Sequence, residues 1–305
     1  MKIGRLLTAM VTPFDKEGNV DYEQAKRLAL ALLDSGSDGV VVTGTTGESP
    51  TLDWDESLRL YEVVKSAVGD RGAVIAGTGS NNTREAVKAT QEAEKVGVDG
   101  CLLVVPYYNK PTPEGLYQHF KKIAEGTNLP CILYNVPGRT ITNLAVETVV
   151  RLSQIDNIVG IKEASGNMEQ VAKIITNTGP DFLVWSGNDS DTFHILTLGG
   201  YGVISVASHL VGKQIKEMIE HATTPGYTKQ AATIHKNLLP LVNTLFLVSN
   251  PIPVKYALNL VGFPVGKPRL PLIDPEDEPD KKIAAQIKKM VSQYQIDLPI
   301  PKGGD

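Results

Sequence analysis

Ile158-Val159-Gly160-Ile161-Lys162-Glu163-Ala164-Ser165-Gly166 opens as a short apolar run, reaches a lysine, and closes in a glycine turn. Runs of this length without polar alternation mark strands of a parallel sheet covered on both faces. Seven others share the pattern: Leu6–Met10, Gly39–Thr43, Ala73–Gly77, Gly100–Val105, Cys131–Asn135, Phe182–Ser186 and Gly202–Val206. Between them lie stretches with helical spacing, among them Tyr22–Leu33, Glu56–Val68, Arg84–Val96 and Glu114–Glu125. Eight βα units before residue 210 meet the requirement of a closed α/β barrel, the (β/α)8 or TIM-barrel architecture.

Local punctuation supports the division. Asp53-Trp54-Asp55-Glu56 and Asn82-Thr83-Arg84-Glu85 read as helix N-caps followed three residues on by an acid, and Thr112-Pro113 sets proline at a first helical position. Ser35-Gly36-Ser37-Asp38-Gly39 and Val96-Gly97-Val98-Asp99-Gly100 are two versions of one helix stop and strand start, with Leu198-Gly199-Gly200-Tyr201-Gly202 a looser third. An open doubly wound sheet is the competing fold. It would carry a glycine-rich phosphate loop after its first strand, where this chain has Met10-Val11-Thr12-Pro13-Phe14. Beyond residue 210 the pattern turns helical, over Lys213–His221, Thr228–Leu247, Pro253–Leu260 and Lys281–Gln293. The expected division is a catalytic barrel over 1–225 and a C-terminal helical region over 226–305.

Composition narrows the function. With 42% hydrophobic and 21% charged residues and a net charge of −4, the chain reads as soluble, with no electrostatic bias toward nucleic acid or an anionic membrane. No stretch approaches transmembrane length. The N-terminal apolar segment is broken by Thr8, Thr12 and Pro13 and reads as a first strand rather than a signal peptide. The two cysteines, Cys101 and Cys131, lie in strand-like runs and read as buried free thiols; a disulfide would require neighbouring strands. The five histidines show neither HxH nor HExxH spacing, so no metal site is expected. Gly77-Thr78-Gly79 and Gly262…Gly266-Lys267-Pro268 fail as nucleotide loops.

Barrel enzymes gather their chemistry at the C-terminal ends of the strands. Here those ends carry Thr43-Gly44-Thr45-Thr46-Gly47-Glu48-Ser49, Pro106-Tyr107-Tyr108-Asn109, Tyr134-Asn135-Val136-Pro137-Gly138-Arg139-Thr140, Lys162 and Ser186-Gly187-Asn188-Asp189. Most lysines are solvated surface charges. One at the end of an apolar strand loses hydration, which disfavours the ammonium and leaves a nucleophile for a carbonyl. Taken singly, the threonines are ordinary turn residues, the tyrosines ordinary packing residues and Arg139 an ordinary surface charge. Together they fit carbon–carbon bond chemistry through an imine on Lys162. Tyr134 and a threonine hydroxyl would move protons, the Thr45-Thr46-Gly47 backbone would hold a carboxylate, and Arg139 would grip a second one. No external cofactor is needed.

These same residues resemble the dihydrodipicolinate synthase (4-hydroxy-tetrahydrodipicolinate synthase) family, within the superfamily that includes N-acetylneuraminate lyase. The likeness runs from Thr8-Ala9-Met10-Val11-Thr12-Pro13-Phe14 to Asn250-Pro251-Ile252-Pro253-Val254-Lys255. Gly44-Thr45-Thr46-Gly47-Glu48 and Gly160-Ile161-Lys162-Glu163-Ala164 mark the superfamily. The Thr45-Thr46 pair, Tyr107-Tyr108-Asn109-Lys110-Pro111 and the Gly138-Arg139 pair mark the family. The resemblance implies that Lys162 forms a Schiff base with pyruvate, that Thr46 and the backbone at Ile204 bind it, and that Gly187 lines its pocket. It implies Tyr134 as proton donor and acceptor, Thr45 and Tyr108 as its hydroxyl relay, and Arg139 as the anchor of L-aspartate 4-semialdehyde. It further implies a cytoplasmic homotetramer of two tight dimers, Tyr108 being lent across the dimer interface, acting in diaminopimelate and lysine biosynthesis.

Many family members bind lysine at positions matching Ser49, Asn81, Glu85 and Tyr107. This chain departs from the common bacterial pattern at Trp54 and Ser57, where histidines are frequent; tryptophan at the first resembles the plant form. Glu85 also stands where a capping-box acid would. Two other functional readings stay in view. One is a sister aldolase acting on N-acetylneuraminate or 2-keto-3-deoxygluconate, and the other a non-catalytic barrel that binds a small carboxylate.

Overall fold

The computed structural model describes residues 3–299. Eight strands, β1 (Leu6–Ala9), β2 (Gly39–Val42), β3 (Ala73–Gly77), β4 (Gly100–Val104), β5 (Cys131–Asn135), β6 (Ile158–Glu163), β7 (Leu183–Ser186) and β8 (Gly202–Ser205), pair in sequence order into a closed parallel barrel. β1 closes the ring on β8 through Leu6↔Val203, Leu7↔Ile204 and Thr8↔Ser205. Helices α1 (Tyr22–Asp34), α2 (Trp54–Val68), α3 (Thr83–Val96), α4 (Pro113–Ala124), α5 (Pro137–Thr140), α6 (Val146–Leu152), α7 (Met168–Asn177), α8 (Thr192–Thr197) and α9 (Ser208–Thr223) fill the crossovers and follow the last strand. The C-terminal extension adds α10 (Thr228–Thr244), α11 (Ile252–Leu260) and α12 (Lys282–Val291). Residues 1–2 and 300–305, included in the expected division, lie outside the described residues.

Parity along each strand builds two cores. Leu7, Val41, Ile75, Leu102, Ile132, Trp185 and Ile204 fill the barrel interior. Their neighbours Leu6, Val40 and Val74 join one outward core against the helices, and Leu103, Leu133, Ile161 and Val184 join another. Burial on both faces explains why the strands lack polar alternation.

The strand ends fall within one residue of those expected, because glycines and caps bound them. Gly36 (φ +107°) and Gly97 (φ +86°) adopt backbone that a side chain disfavours and so stop α1 and α3. The aspartates of the two matching turns stitch preceding strands. Asp38 Oδ2 accepts from the Arg5 and Leu6 amides, and Asp99 Oδ2 accepts from the Val74 amide. Asp53 and Glu56 form a reciprocal capping box on α2. Asn82 caps α3 differently: it accepts from the Arg84 amide and donates to Glu85, whose carboxylate also accepts from Ser80. Glu85 is therefore not a capping-box acid. α9 begins five residues before the expected Lys213, kinked at Val211 (φ −132°, ψ 42°).

The C-terminal region is tied to the barrel by one buried ion pair. Lys255 on α11 is fully buried; its Nζ donates to Glu48 Oε1 at 2.8 Å, the Thr12 carbonyl at 3.0 Å and the Lys267 carbonyl at 3.1 Å. All three ammonium protons are thus satisfied. Glu48 Oε2 accepts in turn from the Arg269 amide at 2.9 Å. Removing one partner strands the other as an uncompensated buried charge. Lys255→Met should accordingly lower unfolding free energy in urea by about 3–5 kcal/mol, whereas a loss below about 1 kcal/mol would contradict a buried pair.

Candidate active site

Lys162, near the C-terminal end of β6, lies in register with Tyr134 on β5 and Trp185 on β7. Tyr134 and Trp185 both belong to the barrel interior, but the Trp185 indole turns toward the N-terminal end, where its Nε1 donates to the Gly4 carbonyl at 3.0 Å. The Lys162 side chain is 5% exposed, and Nζ lies 4.3 Å from the centre of the Tyr134 ring. Nζ has no hydrogen bond or ion pair among the described residues. Burial pulls the Lys162 pKa down to about 8; the Arg139 charge pushes the same way and the Asp189 carboxylate opposes both. At pH 7 roughly a tenth of such amines are neutral, against well under a thousandth for an ordinary lysine near 10.4. Burial raises the Tyr134 phenol, opposed by Arg139 and the Thr45 hydroxyl. Tyr134 is therefore a neutral phenol with a proton to give.

Gly187 touches the lysine stem. A Cβ there would meet Ala164 Cβ at 2.6 Å, the Glu163 carbonyl oxygen at 3.1 Å and Lys162 Cγ at 3.2 Å, so a side chain would clash with Ala164 and crowd the lysine stem. Asp189, one turn further on, is buried and accepts from Ser205 Oγ at 2.5 Å and from the amides of Val206 at 2.9 Å and Ala207 at 3.1 Å. It thereby fixes the end of β8 just after Ile204, which lines the barrel interior.

The turn after β2 presents the hydroxyls. The Gly47 and Ser49 amides bond back to the Gly44 carbonyl and the Glu48 amide to that of Thr45. The Thr45 and Thr46 amides have no hydrogen-bond partner among the described residues. Thr46 is buried and accepts from Asn250 Nδ2 at 2.9 Å. Thr45 and Tyr134 line one cavity of about 40 Å³ with Thr43, Leu102 and Val104. Arg139, on the short helix α5, is exposed and donates through Nη2 to the Asn250 carbonyl at 3.3 Å.

Tyr108 stands apart. It is 89% exposed, has a φ of +74°, and does not line the cavity that holds Thr45 and Tyr134. The left-handed non-glycine residues Thr43, Glu48, Tyr108, Lys110 and Ile141 all sit in the loops after β2, β4 and β5. Each such conformation costs about 1–3 kcal/mol, and such strain concentrates at functional rims. Thr43 is held there by its hydroxyl, 2.5 Å from Tyr61 Oη and 3.2 Å from the Gly77 carbonyl.

Beside the site lies a cavity of about 380 Å³ that shares Thr43, Ser49, Gly77 and Gly79 with the smaller one. Trp54, Ser57, Glu85 and Lys88 also line it. Of the residues matched to a lysine site, Ser49, Trp54 and Glu85 meet in this cavity. Asn81 and Tyr107 do not line it; they pair with each other, Asn81 Nδ2 donating to the Tyr107 carbonyl at 3.0 Å. Sequence reasoning gave no role to Asn250, Asp189 or Thr43. Thr43 and Asp189, at the C-terminal ends of strands, carried a positional signal; Asn250 carried none of that kind.

Fold and site together define a class: a (β/α)8 barrel whose C-terminal mouth holds a desolvated lysine suited to Schiff-base chemistry. Within that class the chain belongs to the dihydrodipicolinate synthetase family, whose model matches residues 2–290. It is 66% identical over 299 residues to a 4-hydroxy-tetrahydrodipicolinate synthase of Dehalococcoides mccartyi, covering 98% of this chain and 99% of the relative. The crystal structure of the Cyanidioschyzon merolae enzyme with lysine bound superposes with a TM-score of 0.92 at 49% identity, covering 95% of this chain and 97% of that one. A chloride-inhibited enzyme from Acinetobacter baumannii complexed with pyruvate gives 0.91 at 39% identity, over 95% and 98% of the two chains.

Competitive acetylation of the amines across pH, read by mass spectrometry, should give Lys162 a titration midpoint near pH 8. A midpoint near the ordinary lysine value, about 10.4, would remove the desolvation argument.

Proposed function

We propose that the protein is a lyase that condenses pyruvate, held as an imine on Lys162, with L-aspartate 4-semialdehyde in diaminopimelate and lysine biosynthesis. The observation that carries this reading is Lys162 itself, buried without an ion-pair partner and set over the Tyr134 ring. Neutral Nζ attacks the pyruvate carbonyl carbon to give a carbinolamine, and the phenol of Tyr134 supplies the proton that lets the carbinolamine hydroxyl leave as water, forming the iminium. Loss of a methyl proton from the iminium gives the enamine, whose carbon attacks the aldehyde. The amino group of the second substrate then displaces Lys162 and closes the ring.

The Thr45 and Thr46 amides and the Thr46 hydroxyl bind the pyruvate carboxylate, with Gly187 and the Ile204 backbone completing the pocket. Thr45 relays the proton from Tyr134. Arg139 binds the carboxylate of the semialdehyde, which favours this reading over sugar-acid aldolases. No cofactor takes part. Tyr108, exposed and strained, completes the relay of a partner subunit in a homotetramer built from tight dimers. The barrel over 1–225 and the helical region over 226–305 act as one unit, since Lys255 grips Glu48 beside the threonine pair. Among the described residues no helix is long and apolar enough to cross a membrane, in keeping with a cytoplasmic enzyme.

Tyr134→Phe should lower kcat roughly a hundredfold in a coupled assay with both substrates, the usual worth of a positioned acid/base, with the melting temperature little changed. Full activity in that variant would end the relay proposal.

A second reading concerns the lateral cavity. Its volume of about 380 Å³ and its Glu85 carboxylate suit a small cationic amino acid, and the related Cyanidioschyzon merolae enzyme has been crystallised with lysine bound. Millimolar L-lysine should depress turnover, and Glu85→Ala should blunt the effect. Activity indifferent to lysine would reject this reading.

A further inference from the structure

The segment that leads into α11 enters the site at Asn250. This residue is 6% exposed and touches both anion-binding groups: its Nδ2 donates to Thr46 Oγ1 at 2.9 Å, and its carbonyl accepts from Arg139 Nη2 at 3.3 Å. Five residues on, Lys255 is locked to Glu48 at 2.8 Å, so the segment is held to the same β2 turn at two points.

We propose that Asn250 is a positioning residue that sets the polarity of the Thr46 hydroxyl, making it a hydrogen-bond donor to the substrate carboxylate. This rests on the reading of Thr46 as a carboxylate-binding group. A threonine hydroxyl has one proton and two lone pairs. With an amide N–H already directed at one lone pair, the proton must point elsewhere, and it has no acceptor among the described residues. It is therefore free for an anion, where a charge-assisted bond is stronger than a neutral one. An acceptor at residue 250 would do the reverse. It would take the hydroxyl proton for itself and leave lone pairs facing the carboxylate.

The orientation of the amide makes the inference specific. Its oxygen, Oδ1, is buried with no hydrogen-bond partner, while the nitrogen faces Thr46. The backbone hydrogen bond from Arg139 survives any side-chain change at residue 250. The two substrates should thus respond differently to substitution there.

The test measures the half-saturating concentrations of both substrates for Asn250→Ala, Asn250→Asp, Thr46→Val and the Asn250→Ala/Thr46→Val double variant. Losing one charge-assisted bond predicts about a tenfold rise in half-saturating pyruvate for Asn250→Ala. Asn250→Asp, nearly isosteric, should be worse, because it reverses the hydroxyl and adds a like charge. In the Thr46→Val background Asn250→Ala should add nothing, and half-saturation by the semialdehyde should stay within about twofold throughout.

Wild-type pyruvate affinity in Asn250→Asp or Asn250→Ala would overturn the proposal, as would an undiminished Asn250→Ala effect without the Thr46 hydroxyl. If Thr46→Val raises half-saturating pyruvate while the Asn250 variants do not, only the role of Asn250 falls. If Thr46→Val itself has no effect, the carboxylate assignment of Thr46 falls and this role falls with it. Should Asn250→Ala fail to fold, Asn250→Ser, which keeps a small polar side chain but shortens it, serves in the same comparison.

Discussion

An amine held out of water with no carboxylate in contact is the constraint on which the site depends. The barrel supplies the dry wall: the centre of the Tyr134 ring lies 4.3 Å from Lys162 Nζ, and Gly187 leaves room for the lysine stem. Burial alone does not make a lysine reactive, and the chain contains its own control. Lys255 is buried more completely and its pKa is likewise drawn down to about 8. Yet its three protons are all engaged, by Glu48 and two carbonyls, and it has no exposed surface. One buried lysine holds the fold together, and the other is left free to react. The difference lies in the partners, not in the depth.

Around that amine, the rim loops are kept in shapes the backbone would not choose. Thr43 and Glu48 bracket the turn that presents Thr45 and Thr46, both with positive φ. Their left-handed geometry is held from outside the barrel: Tyr61 on α2 bonds Thr43, and Lys255 on α11 bonds Glu48. The C-terminal helices therefore do more than cover the barrel. They hold one wall of the pocket from behind, while Asp189 pins the end of β8 by accepting from Ser205, Val206 and Ala207.

Much of this was legible in the sequence because it depends on local rules. Strands buried on both faces leave unbroken apolar runs, and Gly36 and Gly97 stop helices whatever else the chain does. Lys162 could be picked out because a charge closing such a run is unusual, and position at a strand end then assembled its companions. What stayed hidden depends on contacts across long separations. Asn250 meets Thr46 across 204 residues and Lys255 meets Glu48 across 207, and no local pattern announces either pair. The start of α9 was hidden for a different reason: the helical turn before Lys213 is set off from the rest by a kink at Val211, so the regular spacing begins only after it. Cys101 and Cys131 sit in the same register on β4 and β5, free thiols whose sulfurs hydrogen-bond at 3.5 Å rather than forming a disulfide, a proximity that follows from the strand order.

Reductive trapping tests the assignment of Lys162 most directly. The intact protein is incubated with pyruvate and borohydride, digested, and the modified peptide located by mass spectrometry. The account predicts a single reduced pyruvyl adduct on Lys162 and none on Lys255, whose amine is sealed. An adduct on Lys255 or any other lysine, or no adduct at all, would contradict it.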